Sequence, residues 1–127
     1  MRIAQTLVGQ NYFRFRDTTY VQNQGLAVGA PISSILSEVY LQYMENRAIY
    51  ELLIKHKVGG YFRYVDDILV MYKDDKTNVP RMLEDFNNLV PNMKFTSGGG
   101  KKIYFLDITV TKNHDGLSFE IYRKPTA

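Results

Sequence analysis

Hydrophobic and polar positions follow two periods along this chain, and the switches between them mark the elements. Between Asn11 and Gln22, Tyr12, Phe13, Phe15, Tyr20 and Val21 stand among polar residues on both sides of the polar centre Asp17-Thr18-Thr19. That arrangement predicts a β-hairpin. Gly25 to Pro31 reads as a loop, with Pro31 suited to the first turn of a helix. Ile32, Ile35, Leu36, Val39, Tyr40, Tyr43 and Met44 then recur at three- to four-residue spacing, and the pattern continues weakly through Ala48, Tyr50, Leu53 and Ile54 to Lys57. This predicts one helix of about 26 residues, about 39 Å long, with Gly59 and Gly60 as its stop. Glu51 and Lys55 are spaced as a helical ion pair, and Tyr40, Tyr43 and Tyr50 are expected in the core with their hydroxyls at its rim.

The second half alternates more strongly. Residues 61–72 read as two apolar strands joined by a two-residue acidic turn, Asp66-Asp67. Asn78 and Pro80 open a second helix with Val79, Leu83, Phe86, Leu89 and Val90 on one face, closed by Pro91-Asn92. Met93–Thr96 is a short strand candidate. Gly98-Gly99-Gly100 follows as a flexible loop, equally a hairpin connection or an engineered one. Ile103–Thr111 alternates as a strand, His114-Asp115-Gly116 is a turn, and Leu117–Tyr122 returns as its partner. The first nine residues read as a short helix or helix end. Hairpin, long helix, hairpin, helix, strand, hairpin predicts an α+β fold in one domain, an antiparallel sheet with long helices packed on one face.

Composition narrows the function. The chain has 127 residues, of which 45% are hydrophobic and 13% aromatic, enough for a packed core and against disorder. A net charge of +3 suits a polyanion without demanding one. With no cysteine there is neither a disulfide framework nor a thiolate metal site. No apolar run approaches the roughly 18 residues that a spanning helix needs, and no signal peptide is legible at the N-terminus.

Asp66 and Asp67 carry the strongest chemical signal. Aspartate disfavours strands, and adjacent carboxylates repel each other, so a pair between two apolar strands is chemically unusual. A bound divalent cation would neutralise it. Hard carboxylate oxygens suit Mg²⁺, which takes one or two of them together with substrate phosphates. The bland alternative is a solvated acidic turn.

The setting of the pair points further. Tyr64-Val65-Asp66-Asp67, preceded by Tyr61-Phe62 and followed by Ile68-Leu69-Val70, resembles the catalytic hairpin of reverse transcriptases. Gln24–Ser33 followed by a helix resembles that family's second palm motif, and Phe105-Leu106-Asp107 falls where its primer-gripping hairpin lies. Asn11–Phe15, Gly25–Ser33, and Phe105–Asp107 with the closing Tyr122–Thr126 look most like the Penelope-like retroelements, relatives of telomerase. The resemblance covers nearly the whole chain and implies a truncated polymerase palm. Asp66 and Asp67 would be catalytic and metal-holding, with Mg²⁺ as cofactor and Mn²⁺ as a substitute. Gly25, Val28, Gly29, Ala30, Pro31, Ser33 and Tyr64 would lie at the nucleotide, and Phe105, Leu106 and Asp107 at the primer. Lys101, Lys102 or Lys94 would protonate the leaving group, although solvated loop lysines are the plainer reading. The partners implied are an RNA template, a DNA primer and deoxynucleoside triphosphates, in an intracellular and nuclear setting, with no membrane.

The chain also departs from the family. The family's third carboxylate lies on an earlier strand, and only Asp17 precedes Asp66 here. Val28 stands where many members carry Gln, and Ala30 where Ser is common. The chain therefore reads as a palm piece without fingers, thumb or first motif, inactive by itself. A non-catalytic nucleic-acid or protein interaction module derived from such a polymerase is the alternative. Arg63 could face phosphate or lie along the surface, Asp107 could contact primer or simply line a strand, and His56 and His114 read as surface histidines. The hairpin at 61–72 lacks the family's neighbouring strand, so it is expected to recruit a second copy of the chain or the first twenty residues.

Overall fold

A computed structural model describes residues 5, 6, 9, 11–27 and 29–126. The fold is a small α+β one with antiparallel sheets and one long helical run. The chain divides into two compact units, Met1–Arg47 and Ala48–Ala127. The predicted N-terminal helix falls mostly outside the described residues.

In the first unit, β1 (Tyr12–Phe15) and β2 (Thr18–Val21) pair antiparallel, with Phe13 opposite Tyr20 and Phe15 opposite Thr18. Gln22 donates its backbone N–H to Asn11 O at 2.7 Å, one step beyond the ladder. The hairpin is a two-stranded sheet of its own. Gly25 and Gly29 both adopt left-handed backbone, at φ 79° and 84°, which only glycine enters freely. Helix α1 (Ser33–Met44) follows, with Ser33 buried.

The helical run is not the uniform helix that the spacing predicted. After α1, residues Glu45–Ile49 form a π turn, and α2 (Tyr50–Lys55) resumes α geometry. The buried residues Met44 and Ile49 lie five apart, which is the i→i+5 repeat of a π turn and not the α repeat. The hydrophobic pattern weakens in the sequence where this extra residue is absorbed. Tyr40, Tyr43 and Tyr50 are exposed and do not build the core. Tyr43 instead accepts a hydrogen bond from Arg47 Nη1 at 3.1 Å and carries its guanidinium over the ring.

In the second unit, α2 ends four residues before the glycines expected to stop it. Lys57 takes left-handed backbone at φ 55°, Lys57 N–H donates to Ile54 O, and Val58 N–H donates to Leu53 O. These two bonds are a Schellman closure with lysine in glycine's usual place. Gly60 opens the next strand and Gly59 precedes it: Gly59 N–H donates to Met71 O at 2.8 Å, and a side chain at Gly60 would meet Phe62 and Met71. Strands β3 (Gly60–Tyr64) and β4 (Asp67–Met71) form a second two-stranded sheet. Helix α3 (Val79–Asn87) is capped by the Asn78 side chain, which accepts from Arg81 N–H at 3.1 Å, and carries Pro80 in its first turn. Its inward face holds Met82, which the apolar spacing did not single out, together with Phe86.

Met93–Thr96 is not a strand. Asn87 clamps Phe95 instead, accepting its N–H at 2.6 Å and donating to its C=O at 3.1 Å, so one amide side chain does what a neighbouring strand would do. The clamp sets the Phe95 ring edge-on to Phe86, at 5.3 Å and 73°. The stretch read as one strand, Ile103–Thr111, breaks at Leu106-Asp107 into β5 (Lys102–Phe105) and β6 (Ile108–Asn113). With β7 (Gly116–Ile121) they form a three-stranded sheet in the order β5-β6-β7. The expected single sheet is thus three sheets, because each hairpin closes on a turn of two residues and no ladder among the described residues joins β4 to β5.

Helices α2 and α3 are tied by charge. Asp85 Oδ2 lies 2.7 Å from both Lys55 Nζ and His56 Nε2. Lys55 therefore reaches across to α3, where Glu51 was the expected partner. His56 is largely enclosed, not a surface histidine, and its backbone carbonyl accepts from the buried Thr77 hydroxyl at 2.7 Å. The hydrogen bond from Lys55, and next that from His56, hold the Asp85 carboxyl below the usual carboxylate range. A carboxyl with a depressed folded pKa stabilises the fold above its unfolded pKa and loses that contribution as pH falls through the folded value. Asp85→Asn is therefore expected to lower stability at neutral pH and to flatten the loss of stability below about pH 4. Denaturant midpoints for the two proteins between pH 7 and pH 2 should converge on acidification. Parallel curves contradict the assignment.

Candidate functional site

The acidic hairpin is built from its register. Tyr64 pairs with Asp67, Arg63 with Ile68, Phe62 with Leu69 and Tyr61 with Val70. Paired residues share a face, so Phe62, Tyr64 and Asp67 lie on one side, and Tyr61, Arg63, Ile68 and Val70 on the other. The first side is the exposed one, with Phe62 at 54% and Tyr64 at 62% exposure, and the second is half-buried. The turn is Val65-Asp66, one residue earlier than the predicted Asp66-Asp67, and Asp67 is the first residue of β4. The two carboxylates therefore have different supports. Asp66 sits at the tip, and Asp67 is fixed by the ladder beside Tyr64.

Val65 carries the cost of this arrangement. Its φ is 56°, a region that a β-branched residue rarely enters. Positive φ at the first central residue and not the second is the φ pattern of a II′ hairpin turn, where glycine is the usual occupant. Arg63 braces the turn by donating from Nη1 to Val65 O at 2.8 Å. The Arg63 guanidinium thus turns in on the hairpin tip.

The same device closes two further hairpins. Phe15-Arg16-Asp17 and Phe105-Leu106-Asp107 repeat the order aromatic, residue at positive φ, aspartate, with Arg16 at 56° and Leu106 at 54°. Asp107 is thus a turn residue and not a member of a continuous strand, and its carbonyl accepts Tyr122 N–H at 2.7 Å. Phe105 is half-buried, whereas Leu106 and Asp107 are exposed. Lys94, Lys101 and Lys102 are exposed as well, and Lys102 Nζ lies 4.0 Å from Glu120. Gly25, Gly29, Ala30, Pro31 and Ser33 belong to the first unit, while Tyr64, Asp66 and Asp67 belong to the second. Val28 lies outside the described residues.

The pair fits a hard divalent ion in kind and is sparse in number. Both carboxylates are exposed at one hairpin tip, with Tyr64 beside them. Among the described residues no three of His, Cys, Asp and Glu gather as a metal-holding group. Two carboxylates leave most of an octahedral shell to water or substrate oxygens.

Sequence reasoning missed one cluster. Lys55, His56, Lys76, Asn78, Arg81, Glu84 and Asp85 line an open cleft of about 420 Å³. Its members come from three stretches of sequence, and no local spacing announces their meeting. Among the described residues no helix is long and apolar enough to cross a membrane. No family model matches the chain, and neither a curated protein nor a solved structure is found to be similar to it.

The strained turn makes a direct prediction. Val65→Gly removes a backbone strain of about 1–3 kcal/mol and adds about 0.5–1 kcal/mol of unfolded-chain entropy, for a net gain near 1 kcal/mol. Leu106→Gly should gain less, since leucine is not β-branched. Denaturant midpoints measure both. A Val65→Gly protein less stable than its parent contradicts the strained turn.

Proposed function

We propose that this chain is the palm portion of an RNA-directed DNA polymerase of a retroelement. The observation that carries the reading is the tip of the β3–β4 hairpin, where Tyr64-Val65-Asp66-Asp67 places two adjacent carboxylates beside an exposed tyrosine on a turn held under strain. Strain of this kind collects at functional sites. The glycine loop leading into α1 supports the reading, because Gly25 and Gly29 allow a ligand close to the backbone.

The chemistry is transfer of a nucleotidyl group. The oxygen of a primer 3′-hydroxyl attacks the α-phosphorus of a deoxynucleoside triphosphate. A new P–O ester bond forms, the bond between the α-phosphorus and the bridging oxygen breaks, and pyrophosphate leaves with the electron pair. The hydroxyl proton passes to solvent. Asp66 and Asp67 would hold Mg²⁺, which when bound lowers the barrier by neutralising charge on the attacking and leaving oxygens. Asp67, fixed in the ladder, sets the direction of one carboxylate. Asp66, at the tip, is free to adjust to substrate. Tyr64, on the same face as Asp67, offers a ring against which a sugar or base can rest.

Two carboxylates are fewer than this chemistry employs in the family that the chain resembles, so the 127-residue chain is expected to show no primer extension. Parts of a catalytic site act as a unit, and removing one costs orders of magnitude in rate. The decisive assay takes the chain as its natural gene encodes it, with whatever sequence adjoins it there, and follows extension of a DNA primer on an RNA template. Activity that Asp66→Asn or Asp67→Asn lowers by at least about a hundredfold supports the polymerase reading. An extended protein that stays inactive with Mg²⁺ and with Mn²⁺ favours the alternative, a non-catalytic interaction module.

A further inference from the structure

The β1–β2 hairpin displays a surface that the acidic site does not use. Tyr12, Phe13, Phe15 and Tyr20 are 67%, 53%, 61% and 45% exposed. Phe13 and Tyr20 face each other across the ladder with rings nearly parallel, 18° apart at 5.4 Å. Phe15 lies on the same face as that pair, and the Arg16 guanidinium sits over its ring at 5.5 Å. On the opposite face, Tyr12 and Arg14 alternate. Arg14 donates to Arg16 O at 3.2 Å and reaches Asp17 at 3.5 Å, a pair open to solvent on both sides.

We infer that this hairpin is a stacking platform for single-stranded nucleic acid, with bases on the Phe13–Tyr20 pair and on Phe15, and backbone phosphate on Arg16, while Arg14 adds positive charge from the opposite face. A two-stranded hairpin with four exposed aromatics is marginal in water by itself and gains by covering them. The chemistry of the cover is legible in the side chains. Every exposed large apolar residue of the two strands except Val21 is a flat ring, and flat rings accept any base. The Arg16 guanidinium stands beside them and Arg14 lies on the opposite face, two cations against the one carboxylate of Asp17, and guanidinium complements phosphate in charge and shape. Arg16 already stacks on Phe15, so a phosphate bound there comes to lie next to a ring on which its base can stack. The inference deepens the polymerase reading by naming a strand-contacting surface, and it rests on the hairpin rather than on the carboxylates.

The test is fluorescence anisotropy of a labelled twelve-nucleotide oligo(U) with the whole 127-residue chain at several salt concentrations. Phe13→Leu, Phe15→Leu and Tyr20→Leu combined keep the surface apolar but remove the rings, and should weaken binding tenfold or more, about the loss of one stacked base. Phe13→Trp with Tyr20→Trp should preserve or strengthen binding, and protection of the Gln22 amide from exchange shows that the hairpin survives in each variant. Arg16→Ala should lower the slope of log affinity against log salt by about 0.7. Binding is read without divalent metal, nucleotide or primer extension, so the polymerase reading can fail while this surface stands. Affinity indifferent to the leucine substitutions, or indifferent to salt, overturns the inference. So does self-association that rises with concentration and disappears in Phe15→Asp, which would assign the face to a second copy of the chain.

Discussion

Tight turns closed without glycine govern this structure. Arg16, Val65 and Leu106 each hold φ between 54° and 56° at the first position of a two-residue turn, each after an aromatic residue and before an aspartate. A two-residue loop leaves no freedom in register, and a slip by one residue would exchange the two faces of a hairpin. The turn at Val65 therefore decides that Asp67 shares a face with Phe62 and Tyr64 while Ile68 and Val70 face inward. Without it, the acidic pair would have no fixed direction. The strain is tolerated because ladder bonds and the Arg63 brace over-determine the turn.

The second unit is held by a few polar side chains that replace regular structure. Asn87 substitutes for a strand at Phe95, Asp85 joins α2 to α3, and Thr77 satisfies the carbonyl of His56 just past the end of α2. Fully buried apolar side chains are scarce: Ile49, Met82 and Phe86 form the small core of this unit. With so little apolar burial, each of these polar clamps carries a large share of the local order. The acidic hairpin stands on a scaffold whose stability depends on charge, and hence on pH.

Local signals were the legible ones. Among the described residues, alternation and helical spacing located the stretches that fold into strands and helices but merged β5 with β6 and added a strand at Met93–Thr96 that does not form, and the Asn78-Pro80 start of α3 follows from its capping chemistry. What the pattern misplaced depends on backbone that residue identity does not announce. Leucine at a left-handed turn position looks like one more apolar strand residue, so the break at Leu106 was hidden inside an alternating run. Lysine in a Schellman closure left the helix end assigned to the glycines beyond it. The π turn absorbed one residue where the periodicity merely faded. For the candidate site, the two aspartates and their aromatic neighbours were visible as a string, but the Val65-Asp66 turn that separates their roles was not. The Lys55–His56–Asp85 cluster was invisible because it joins positions 29 and 30 residues apart.

The central claim is that Asp66 and Asp67 together hold a divalent ion. Titration of the 127-residue chain with Mn²⁺, read by paramagnetic broadening of backbone amides, tests it most directly. Two carboxylates without phosphate ligands predict binding in roughly the millimolar range, with broadening centred on residues 64–69 and lost when Asp66→Asn and Asp67→Asn are combined. Broadening centred elsewhere, or unchanged in that double variant, would contradict the claim.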